Sequence, residues 1–173
     1  MRVSTTPTLY SLELSHPGHA ARLMLERKGI AHKVVNLPPG PHPLVVRALR
    51  FPGGTVPALR IDGRRVQGSL QISRFLDERV PEPVLRPSPE VIEAERWGEE
   101  VLQAIPRRTL RWGTSHDRSL REWVARDAGL PAPGLLSRSA FAPKQLARIS
   151  QATDENVRQA LPRSRACSTE STR

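Results

Sequence analysis

The stretch LSHPGHAARLMLERKGI, residues 14–30, sets a serine and two histidines in front of an amphipathic pattern. A hydroxyl beside imidazoles is the raw material of a reactive site. Ser15 is equally one of the preferred helix N-caps, and Pro17 suits an early helical position. The residues alone leave both readings open. His16 and His19, three apart, share a helix face. Two ligands without a carboxylate or a third histidine at fixed spacing make no metal centre, and none is expected. Cys167 is the only cysteine, so an intrachain disulfide, a Cys-x-x-Cys redox pair and a cysteine zinc site are excluded.

The elements that must carry these residues follow from periodicity and punctuation. Thr8–Leu12 (TLYSL) reads as a β-strand, and Gly29 stops the helix after it at the C′ position. His32–Leu37 (HKVVNL) is a second strand, Pro38–Pro43 a loop, and LVVRALR a short helix. TVPALRIDGRRVQGS is a strand pair turned tightly at Asp62-Gly63. In SLQISRFLDERV, Leu70, Ile72, Phe75 and Leu76 form a helical stripe behind Ser69 in the N-cap position. The order is βαβαββα, a thioredoxin-like α/β arrangement. Proline-rich Val80–Glu90 marks a linker. EVIEAERWGEEVLQAIPRR reads as a helix ending at Arg107 and Arg108, and residues 115–160 as weaker helices broken by LPAPGLL. Trp97, Trp112 and Trp123, with Leu102 and Leu110, are expected to pack helix against helix.

Composition narrows the function classes. The chain has 173 residues, a net charge of +10 and 38% hydrophobic residues, enough to bury a core. Residues 1–88 carry 13 basic and 6 acidic side chains, residues 89–130 carry 7 and 8, and residues 131–173 carry 7 and 3. No segment is a dense basic arm, and 4% aromatics give bases little to stack on, so no nucleic-acid partner is expected. The sequence shows neither a membrane span nor a signal peptide, and a cytoplasmic location is expected.

Together, LYSLELSHPGHAARLMLERKGI, GGTVPALRIDG, VQGSLQISRFLDE and PEPVLRPSP resemble the N-terminal domain of the cytosolic glutathione transferases. The resemblance covers about the first half of the chain. It implies that Ser15 stands at the catalytic position, its hydroxyl donating to the glutathione sulfur while the helix N-terminus favours thiolate over thiol. It implies that Val56-Pro57 is the family's cis-proline turn, with the main chain of residue 56 pairing with the cysteinyl part of glutathione. It also implies that Ser69, with Gln67, meets the γ-glutamyl end at a helix N-terminus. Where the family usually has Glu or Gln before that serine, this chain has Gly68. A glutaredoxin-type reductase would need a cysteine at position 15.

The resulting expectation is a thioredoxin-like domain over residues 1–80, a linker over 81–89, an incomplete all-helical domain over 90–160 and a disordered tail over 161–173. The tail ACSTESTR, back-translated with GC-rich codons and read one base earlier, gives Leu-Leu-Asp-Arg-Val-Asp-Ala. A frameshift near residues 161–166 is therefore expected. The resemblance implies a detoxifying transferase that uses glutathione as co-substrate against a small electrophile, as a homodimer. The alternative is a truncated, non-catalytic thioredoxin-fold paralogue with weak or no glutathione binding.

Overall fold

The computed structural model describes residues 6–86 and 88–160. The proposed tail at 161–173 lies outside the described residues. Contact density divides the chain into two units between Glu95 and Arg96.

In the first unit the alternating runs become strands and the amphipathic runs helices, in the expected order. They are β1 (Thr8–Ser11), α1 (His16–Arg27), β2 (Lys33–Asn36), α2 (His42–Ala48), β3 (Ala58–Ile61), β4 (Arg64–Gln67) and α3 (Ser69–Arg79); the next helix, α4 (Pro89–Trp97), begins in the first unit and ends in the second. The sheet order is β2-β1-β3-β4, with β1 parallel to β2 and antiparallel to β3, and β3 antiparallel to β4. Local signals set the ends. The N–H of Ile30 bonds to the Leu25 carbonyl and that of Gly29 to the Glu26 carbonyl, the Schellman closure of α1. Asp62 and Gly63 both have positive φ, 46° and 77°, as a two-residue hairpin turn between right-twisted strands requires.

Strand alternation gives each sheet face its own core. Leu9, Leu59 and Ile61 pack against Ala21 and Leu25 of α1 and Ile72 and Leu76 of α3. Tyr10 and Ala58 face the other way, against Val46 of α2, Phe51 and Leu37.

The second unit is helical. After α4 the chain makes one π-helical turn, Gly98–Leu102, and continues as α5 (Ala104–His116). It then forms α6 (Arg118–Asp127), α7 (Pro133–Leu136), α8 (Phe141–Ile149) and further helix over 154–160. The expected helix end at Arg107 and Arg108 is corrected. Both lie early in α5, whose last turn is closed by His116 and followed by Asp117, the N-cap of α6. The expected break at LPAPGLL contains α7, since Pro133 begins a helix as readily as it ends one. The packing role expected of the tryptophans is corrected for two of the three, whereas half-buried Trp112 of α5 donates its indole N–H to Asp154, in the helix over 154–160, at 2.6 Å. Trp97 and Trp123 are 39% and 50% exposed, and the buried apolar positions described beyond residue 95 are Ala125, Ala147, Ala152, Val157 and Ala160.

Candidate functional site

The strand register brings the expected site residues to one end of the sheet. Tyr10 is opposite Ala58 and Ala58 opposite Gln67, so the chain leaving β1, the chain entering β3 and the start of α3 emerge together. The N–H of Gly68 bonds to the Pro57 carbonyl at 2.9 Å and fastens the start of α3 to that turn.

Ser15 leaves β1 through a turn closed by its N–H on the Leu12 carbonyl. It caps α1: its Oγ accepts the N–H of Gly18 at 3.1 Å. A hydroxyl has two acceptor lone pairs and one proton. The cap uses a lone pair and leaves the proton to donate elsewhere, so the helix start and the reactive hydroxyl are compatible roles of one side chain. Gly18 is what lets the first turn approach β1. A Cβ there would run into Ser11 Oγ and stand 3.1 Å from the Cβ atoms of Ser11 and Ser15.

The Val56-Pro57 peptide is cis. Val56 is half-buried, and among the described residues neither its N–H nor its C=O has a hydrogen-bond partner. Gln67 explains how that loop is held. Its Oε1 accepts the Gly53 N–H at 2.7 Å and its Nε2 donates to the Thr55 carbonyl at 2.7 Å. Both ends of its carboxamide are spent on the segment leading to Val56, so Gln67 positions the loop from within.

The N-cap of α3 is Gly68, with φ 93° and ψ 143°, and Ser69 is the first helical residue, buried at 9% exposure. This corrects the cap expected at Ser69. Backbone of that shape is open almost only to glycine, and position 68 therefore carries no side chain. The Gln71 carboxamide lies in the space a Cβ at 68 would enter. Gln71 is exposed, and among the described residues its carboxamide has no hydrogen-bond partner. Sequence reading passed over it, because only the backbone of Gly68 brings it across the helix start.

Residues 9–84 match the family model described as glutathione S-transferase, N-terminal domain. They belong to that domain family. Solved structures share the fold. A glutathione S-transferase of Ceriporiopsis subvermispora in complex with glutathione aligns at TM-score 0.51 and 18% identity, over 92% of this chain and 72% of that one. The beta-etherase LigF from Sphingobium sp. aligns at 0.54 and 22%, over 92% and 72%. A glutathione S-transferase from Sinorhizobium meliloti aligns at 0.53 and 23%, over 90% and 64%. No curated protein sequence matches the chain significantly.

The glutathione S-transferase domain holds a second feature that sequence reading missed, at the opposite end of α1 from Ser15. Lys28, 6% exposed at the end of α1, places Nζ 2.7 Å from Asp77 Oδ1, 2.5 Å from the Val80 carbonyl and 2.7 Å from the Pro83 carbonyl. Asp77 in turn accepts the N–H groups of Leu85 at 2.9 Å and Arg86 at 3.3 Å. Burial pushes the Asp77 carboxyl up. The Lys28 hydrogen bond, the Leu85 N–H, the Lys28 charge and the Arg86 N–H outweigh it and hold the group below the usual carboxylate range. The segment read as a linker is thus pinned to α1 and α3 over residues 80–86.

Among the described residues no three His, Cys, Asp or Glu side chains cluster as a metal would require, and no helix is long and apolar enough to cross a membrane.

Proposed function

We propose that this end of the sheet binds glutathione and activates its thiol toward a small electrophile. The observation that carries the reading is the convergence of Ser15, the unpaired main chain of Val56 and the start of α3 in a glutathione S-transferase domain. The neighbour from Ceriporiopsis subvermispora was crystallised with glutathione, which supports the choice of ligand. The tripeptide lies extended along residue 56 as an added strand, with its γ-glutamyl end at Ser69 and Gln71. The Ser15 O–H donates to the sulfur, and the N-terminus of α1 adds partial positive charge. Both lower the thiol pKa. The thiol proton passes to solvent, a sulfur–carbon bond forms, and the leaving group departs with its electron pair. The setting proposed for this transferase is the cytoplasm, its role detoxification and its assembly a homodimer.

One observation favours the non-catalytic reading: Gln67, a candidate ligand contact, is consumed within the chain. Isothermal titration of the full chain with glutathione tests the binding that the catalytic reading requires. Saturable heat that weakens in Ser69→Ala supports the glutathione site. Absence of heat at about ten millimolar, an affinity weaker than about −3 kcal/mol, overturns it.

A further inference from the structure

The sheet face under α2 carries a second feature, at the end away from the glutathione site. In the strand register Lys33 of β2 is opposite Thr8, Thr8 is opposite Arg60 of β3, and Arg60 is opposite Arg65 of β4. All four side chains belong to the face that carries Tyr10, Val35 and Ala58, because residues two apart on a strand share a face. The cover from α2 ends at Leu49, whose carbonyl accepts Arg65 Nε at 2.8 Å. Arg50 follows directly, and Lys33, Arg50, Arg60 and Arg65 are all exposed. With strands about 4.8 Å apart, Lys33 to Arg65 is a line of cations roughly 14 Å long.

Among the described residues no carboxylate pairs with any of these four. The nearest acid in sequence, Asp62, is engaged by Arg79. Arg60 and Arg65 face each other directly across the ladder, a like-charge pair that destabilises a sheet. The folded chain therefore holds a line of unneutralised charge that an anion would relieve. Guanidinium groups take phosphate oxygens two at a time. The nearby aromatics, Tyr10 and Phe51, are 7% and 5% exposed, so no ring is offered to a nucleobase. The chemistry that fits is a chain of phosphoryl groups.

We propose that Lys33, Arg60 and Arg65, with Arg50 beside them, form a binding surface for a short polyphosphate anion, independent of the glutathione site. The test uses the full chain, with inorganic tripolyphosphate as the probe, by calorimetric titration and melting at constant ionic strength. The expected result is saturable binding with a raised melting temperature. Arg60→Gln should weaken it by about tenfold, as losing a charge-assisted hydrogen bond does. The control Arg22→Gln, at a surface arginine that pairs with Glu26, should leave it unchanged. Equal affinity for adenosine triphosphate would confirm that phosphate alone is read, and markedly tighter binding of the nucleotide would overturn that recognition. Equal losses in Arg60→Gln and Arg22→Gln would reduce the effect to general charge screening and overturn the site. Preference for duplex DNA or for phosphatidylserine vesicles would overturn the assignment of the partner. Arg60→Gln lowers no native charge pair, so it should fold at least as stably as the parent and bind glutathione equally.

Discussion

Ser15 combines two roles that one substitution would confuse. Replacing it with alanine removes the cap and costs about 1 kcal/mol of stability as well as the proposed thiol donor. Ser15→Asp keeps a good cap but sets a negative charge against the sulfur. Melting is expected to recover in Ser15→Asp, while thiolate absorbance of bound glutathione stays absent. Recovery of both would show that the hydroxyl does not act on the thiol. Gly68 is the second residue whose chemistry is local. A side chain there meets unfavourable backbone angles, so Gly68→Ala should destabilise by about 1–3 kcal/mol. It should also displace Gln71 and weaken glutathione. Gln71→Ala should weaken glutathione without the stability loss, which separates the two effects.

At the scale of elements, the site depends on how closely α1 meets β1 and how firmly residues 80–86 are tied down. Gly18→Ala forces Ser11 and Ser15 apart from the new methyl. The expected loss is about 1–3 kcal/mol, as for other overpacked sites, measured by urea unfolding. The Lys28–Asp77 pair supplies the tie. Lys28→Met leaves the half-buried Asp77 with only Arg86 Nε, 3.5 Å away, as its cation and takes the ammonium donor from the Val80 and Pro83 carbonyls, and about 1–3 kcal/mol should be lost. The pair also sets a pH dependence. Because the folded-state pKa of Asp77 is depressed, its stabilisation is present above the ordinary carboxylate range and is lost as pH falls through that range and below it. Acid melting profiles of the parent and Asp77→Asn should therefore converge at low pH. Profiles that stay parallel would remove Asp77 from the account.

At the scale of the molecule, the two units rest on different interiors. The first buries Leu9, Leu25, Leu59, Ile72 and Leu76 completely, whereas Phe141, Leu146 and Ile149 of α8 are 72%, 51% and 80% exposed. Truncating a fully buried leucine leaves a cavity, and Leu25→Ala should cost roughly 2–5 kcal/mol. Leu146→Ala removes little buried area and should fall within about 0.5 kcal/mol of the parent. Calorimetry of both variants checks this. A large loss in Leu146→Ala would mean that α8 packs more deeply in solution than its exposure indicates.

The βαβαββα order, the stop at Gly29, the Asp62-Gly63 turn and the position of Ser15 were legible in the sequence. Each is written in neighbouring residues as alternation, a cap or a left-handed position, and local sterics enforce it. The use of Gln67 by the Gly53–Thr55 segment was not legible, nor was Gln71 over the bare Gly68, the burial of Lys28 among the Val80 and Pro83 carbonyls, or the cation row across the strands. Those arrangements depend on strand register and helix docking, which join residues far apart in the chain. A glutamine or lysine read by itself carries the same hydrogen-bonding groups whether it meets a ligand, a loop or water, and only tertiary structure chooses among them.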